Sequence, residues 1–123
     1  MRNPERIEEF ANILSRITNE DLTIMDIIID NDISYYTEDD ETLNILYKYP
    51  KLDSYNIYAN RLCYLWKLNF PDLRFGQLIL NVISTPVEDS TLVSVLEKAY
   101  ELKTNTLPNK ETTEIFLENF TGI

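Results

Sequence analysis

Apolar positions recur along this chain with the spacing of helices. Ile7, Phe10, Ala11, Leu14 and Ile17 fall at i, i+3, i+4 and i+7, the stripe of one buried helical face. Ahead of them Asn3-Pro4 offers a cap and a proline suited to the first helical position. A shorter stripe, Leu43, Leu46 and Tyr47, follows Thr37 with Asp40 or Glu41, a spacing that resembles a capping box. Asp53 is a candidate cap for a third helix with Tyr58, Leu62, Leu65 and Trp66 facing inward. Thr85-Pro86-Val87-Glu88 combines cap, N1 proline and capping-box glutamate, and starts an amphipathic helix through Leu92, Val95, Leu96, Ala99 and Leu102. Asn109 opens a last helix, 109–120, which passes Ile115, Phe116 and Phe120 and stops at Thr121-Gly122. Leu22 to Ile29 and Leu73 to Val82 have strand-like composition. No further segment offers them a partner strand, so both read as buried helices. The pattern predicts one all-α domain over 1–123 with six to seven short helices.

The halves of the chain also align. A shift of about 50 residues brings Asp21-Leu22 onto Asp72-Leu73, Ile28 onto Ile79, Leu14 onto Leu65 and Asp30 onto Asn81. Glu38-Asp39 falls near Glu88-Asp89. The spacing predicts two related three-helix units, 1–50 and 54–103, packed against one another. The second unit carries Leu65-Trp66, then Phe70-Pro71-Asp72-Leu73-Arg74-Phe75-Gly76-Gln77-Leu78-Ile79, then Asn81. Over about 40 residues this resembles a set of small bacterial and phage proteins of uncharacterised function, marked by a Trp…Pro-Asp-Leu-Arg-x-Gly-Gln-Leu signature. The first unit shares the opening Arg2-Asn3-Pro4-Glu5-Arg6-Ile7 and the acidic start Tyr36-Thr37-Glu38-Asp39-Asp40. It departs at the centre, where Thr23, Met25 and Asp26 replace Arg, Gly and Gln. The resemblance implies an all-helical fold and a bacterial or mobile-element setting, and it brings no activity with it.

Charge adds a second asymmetry. The net charge is −10, and residues 1–41 hold −9 of it, with twelve Asp and Glu against Arg2, Arg6 and Arg16. Such a field repels phosphate and favours a basic partner. Direct nucleic-acid binding is therefore not expected. No apolar run approaches the roughly 20 residues a bilayer requires, and the opening residues lack the apolar stretch of a secretory signal. The lone Cys63 excludes an intramolecular disulfide and suits a reducing compartment, so the expected location is cytoplasmic and no membrane association is expected.

The inventory for catalysis is thin. There is no histidine, the usual general base and commonest metal ligand. Cys63 sits mid-helix between Leu62 and Tyr64 and reads as a small buried hydrophobe. Paired carboxylates are plentiful by coincidence alone. No enzyme, cofactor or metal is expected. Asp30, Asp32, Ser34, Tyr36, Glu38 and Glu41 do occupy the ligand positions of an EF-hand loop. However, Tyr35 stands where that loop takes a glycine, so the stretch reads as a turn and an acidic helix start. The expected partner contacts are Tyr35, Tyr36, Glu38, Asp39, Asp40 and Glu41, together with Arg74, Gln77 and Asn81 as a polar strip at helical spacing. These residues suggest a non-catalytic inhibitor or adaptor that occupies the basic groove of a nucleic-acid-handling protein by charge mimicry. An immunity protein or antitoxin for one toxin, and a self-associating structural domain, are the alternatives.

Overall fold

A computed structural model describes residues 5–100 of the chain. All its regular elements are helices: α1 (Glu5–Ile17), α2 (Ile24–Asp30), α3 (Asp39–Leu46), α4 (Ile57–Asn69), α5 (Phe75–Leu80) and α6 (Asp89–Tyr100). No strand occurs among the described residues, and the two segments of strand-like composition are helical over 24–30 and 75–80. The Asn3-Pro4 cap and the 109–120 helix expected from sequence lie outside the described residues.

The two long helices form the centre. α1 packs along α4, α3 leans on α1 and α6 leans on α4. The expected α1 stripe is buried in full. Phe10 of α1, Trp66 of α4 and Phe75 of α5 meet in the core. Phe10 lies edge-on to Trp66 at 5.1 Å and stacks on Phe75 at 5.1 Å. The Trp66 indole N–H donates to the Leu73 carbonyl at 2.9 Å, which satisfies the one polar atom of a fully buried ring.

Three start signals differ from those the sequence suggests. α3 begins after Glu38, because the Thr37 hydroxyl is turned back onto the Ser34 amide at 2.7 Å. α4 begins at Ile57 under Asn56, not near Asp53. Tyr58, expected inside, is 42 % exposed, and Ala59 and Cys63 take the inward places beside Leu62, Leu65 and Trp66. α6 starts only at Asp89, and Val93 rather than Val95 or Ala99 completes its buried face.

The triplets α1–α2–α3 and α4–α5–α6 correspond element by element, and their small length differences are local. The α1–α2 linker is one residue longer than the α4–α5 linker, and α2 has seven residues where α5 has six. Register between the halves therefore runs 52 at the long helices, 51 at the starts of α2 and α5, and 50 beyond their ends. Asn31 thus matches Asn81, in place of the Asp30–Asn81 match read from sequence. Both asparagines are C-caps, and the Asn31 side-chain amide also donates to the Tyr49 hydroxyl at 2.8 Å. In this register Asn31-Asp32-Ile33-Ser34 and Glu38-Asp39 face Asn81-Val82-Ile83-Ser84 and Glu88-Asp89, a repeated Asn-x-Ile-Ser-x3-Glu-Asp.

Candidate functional site

The end of each inter-helix loop docks on the other triplet. Asp39 opens α3, and its Oδ1 accepts the Phe75 N–H at the start of α5 at 3.1 Å. Asp89 opens α6, and its Oδ1 accepts the Ile24 N–H at the start of α2 at 2.8 Å. Both aspartates are buried, and each satisfies a backbone donor that a helix start leaves without an intrahelical partner.

The first of these two junctions gathers most of the sequence-predicted contact residues. Arg74 Nε donates to Glu38 Oε1 at 2.9 Å, and Gln77 Nε2 donates to the Tyr35 hydroxyl at 2.9 Å. Gln77 Oε1 also accepts the Arg74 N–H at 3.1 Å, which supplies one arm of a capping box. Gly76 is there for space. A Cβ on it would lie 2.2 Å from the Ser34 carbonyl oxygen, so the loop packs on bare backbone. Arg74, Gly76 and Gln77 thus hold the α2–α3 loop within the molecule. Asn81 leaves the expected polar strip, because it is the C-cap that ends α5. Asp39 is 6 % exposed and committed to Phe75, so it presents no contact surface. Tyr35 is half-buried. Tyr36 (76 % exposed), Glu38, Asp40 and Glu41 remain on the outside, with Asp40 paired to Arg6.

The residues once in EF-hand register are engaged in a different geometry. Asp32, not Tyr35, takes the left-handed backbone at φ 53°. The Ser34 hydroxyl accepts the Tyr36 N–H and bonds Thr37, and Glu38 is held by Arg74. Among the described residues no three Asp, Glu or Cys side chains converge as a metal site requires.

The second junction forms the floor of a cleft of about 630 Å³ between residues 18–23, residues 54–58 and the start of α6. Asn56 is its hub. Its Oδ1 caps the Tyr58 N–H at 3.0 Å, and its Nδ2 donates to Thr18 Oγ1 and to Asp89 Oδ2, both at 2.7 Å. Its own N–H donates to the Ser15 carbonyl at 2.8 Å, and Leu52 N–H donates to the Arg16 carbonyl at 2.7 Å. The last carbonyls of α1 are thereby satisfied by the chain leading into α4. Burial pushes the Asp89 carboxyl above its usual range, and the bonds from Ile24 and Asn56 oppose that shift only in part. Glu20, Asp21 and Glu88 line the rim with Tyr55 and Tyr58. The Tyr55 hydroxyl is buried and has no hydrogen-bond partner, while Arg16 lies 4.8 Å over its ring. Sequence reasoning passed over this cleft, since its residues come from three separated segments. The repeated Asn-x-Ile-Ser-x3-Glu-Asp, aligned at 50, was the available pointer to Glu88 and Asp89.

No protein-family model, curated protein or solved structure matches the chain.

Proposed function

We propose that this protein is a non-catalytic acidic binding module whose partner is a protein with a basic surface. The observation that carries the reading is the exposure of its carboxylates. Glu20, Asp21, Asp30, Asp32 and Glu41 are all exposed and have no ion pair among the described residues. Helix packing consumes the apolar stripes and internal caps consume Asp39 and Asp89, so this charge is left over by the fold. With −10 overall it favours association with a cationic surface and disfavours contact with phosphate. Tyr36 shares the α2–α3 loop with Asp32 and is 76 % exposed, and an exposed tyrosine suits an interface anchor. The concrete form is an inhibitor or adaptor acting on a nucleic-acid-handling protein in sites meant for phosphates. The family resemblance adds a phage or mobile-element setting.

The test is capture from lysate with the tagged protein, elution by rising salt, and competition with duplex DNA. The triple variant Asp30→Asn/Asp32→Asn/Glu41→Gln serves as control. A nucleic-acid-binding protein released at moderate salt, displaced by duplex and not retained by the variant is the expected result, because exposed ion contacts weaken with ionic strength. A single partner that resists high salt and ignores the variant overturns it in favour of an immunity or antitoxin role.

A further inference from the structure

The two junctions share a backbone plan but differ in the charges that meet there. At the first, Glu38, Asp39 and Asp40 face Arg74 and Phe75 at the start of α5 and Arg6 in the first turn of α1. Two of the chain's own arginines fill it, Arg74 on Glu38 and Arg6 on Asp40. In the structural register, the second junction places Glu88, Asp89 and Ser90 opposite Thr23, Ile24 and Tyr58. The buried aspartate and its backbone bond are retained, and so is the outer glutamate. Both arginines are gone, with Thr23 standing for Arg74 and Tyr58 for Arg6. In their place lies the open cleft of about 630 Å³.

From this difference we infer that the cleft receives an arginine side chain presented by another protein. The first junction shows, within the same molecule, that the outer glutamate of this arrangement, Glu38 there and Glu88 here, accepts a guanidinium, while Ser90 stands where Asp40 holds Arg6. Four carboxylates, of Glu20, Asp21, Glu88 and Asp89, line the cleft, against the neighbouring guanidinium of Arg16. Glu88, Glu20 and Asp21 have no ion pair among the described residues. Tyr58 is 42 % exposed on the rim and offers a ring face, on which a guanidinium stacks better than an ammonium. A planar fork that bonds Glu88 while lying against tyrosine matches this set, whereas lysine offers one point charge.

The inference rests on the proposed function only for the source of the arginine, a protein. Its test needs no natural partner, so a failure here leaves the lysate experiment standing. Blocked Gly-Arg-Gly peptide is titrated into the isotopically labelled full-length protein and amide NMR shifts are followed. The citrulline peptide, the lysine peptide and free L-arginine are run in parallel. The expected result is saturable movement of the Thr23, Ile24, Tyr58, Asp89 and Ser90 amides with the arginine peptide, at least about tenfold tighter than with citrulline. Glu88→Gln, an exposed change that spares the fold, weakens it by about tenfold. Thr23→Arg, which supplies the missing guanidinium in cis, abolishes it. Equal binding of the citrulline peptide, shifts scattered over Asp30, Asp32 and Glu41, or silence of the cleft amides at tens of millimolar peptide overturns the inference. Tighter binding of free arginine than of the blocked peptide overturns the protein source.

Discussion

Replacing Gly76 by alanine sets two effects of opposite sign against each other. Gly76 is the second residue of α5, and in an unconstrained helix interior the exchange gains up to about 1 kcal/mol from backbone propensity. Here the new methyl would sit 2.2 Å from the Ser34 carbonyl oxygen and 3.1 Å from its carbon. That is more than 1 Å inside a normal non-bonded separation of roughly 3.5 Å. Ser34 cannot retreat freely, because its N–H and hydroxyl are both tied to Thr37 and its carbonyl accepts the Thr37 N–H at 3.2 Å. The neighbouring Ile33 is buried and bonded to Ile28 at 3.0 Å. Overpacking of this kind costs about 1–3 kcal/mol, so it outweighs the propensity gain. For a domain of this size each kcal/mol lowers Tm by roughly 4–8 °C. Thermal and urea unfolding followed by the fluorescence of the single, buried Trp66 reads the effect directly. Asn44→Ala, on the exposed face of α3, serves as the propensity control and is expected to gain a few tenths of a kcal/mol. A Gly76→Ala protein that melts at or above the wild-type temperature would refute the close-approach argument.

Asp39→Ala and Asp89→Ala each orphan a buried backbone N–H, and urea unfolding should show a loss of about 1–3 kcal/mol for either. Arg61 is buried with its Nε on Glu97 at 3.1 Å and both terminal nitrogens without hydrogen-bond partners. Replacing the pair together, Arg61→Met with Glu97→Met, should therefore leave Tm unchanged or raise it, whereas Arg61→Met alone strands the Glu97 carboxylate and should lower Tm. A drop of more than about 2 kcal/mol in the double variant would sink the reasoning. Burial pushes the Cys63 thiol far up, so a thiol reagent should label it only at the rate of unfolding, measured with and without denaturant. The Tyr47 hydroxyl donates to Glu9 and is pushed up to about 12, chiefly by that bond. The folded state then holds this proton more tightly than the unfolded chain, so stability is full below pH 10 and declines from pH 10 to about 12. Tyr47→Phe should flatten that decline in alkaline unfolding curves; because the group is largely solvent-exposed, the effect is small.

Elements with a strong single-face period were legible in the sequence. The α1 stripe and the all-helical class needed only periodicity and the lack of a partner strand. Helix starts were less so, because side-chain oxygens competed for them. Thr37 has the chemistry of an N-cap but spends its hydroxyl on the Ser34 amide, three residues back in the preceding turn. Asp53 has the chemistry of a cap, but Asn56 takes that place, with its N–H on the Ser15 carbonyl and its Oδ1 on the Tyr58 N–H. The candidate site was half legible. Charge counting found Glu38 through Glu41, and helical spacing found Arg74 and Gln77. Neither could show that Arg74 and Gln77 reach across 36 and 42 residues to Glu38 and Tyr35, a tertiary pairing that turns a presumed outer strip inward.

The reciprocal caps also decide how the molecule should behave as a whole. α2 has seven residues and α5 six, lengths at which an isolated helix in water does not persist. Each owes its first buried N–H bond to an aspartate of the opposite triplet, and the Phe10–Trp66–Phe75 cluster draws on both triplets at once. Opening one triplet would orphan a buried donor and expose part of that aromatic cluster in the other. The described residues should therefore unfold in a single cooperative step, with far-UV circular dichroism and Trp66 fluorescence coincident in urea. The same coupling gives the cleft its rigidity. Its floor of Asn56 and Asp89 ties the end of α1, the start of α2, the start of α4 and the start of α6 into one hydrogen-bonded frame. A guanidinium entering above that frame would meet acids whose backbone is already fixed, so little ordering cost opposes its binding.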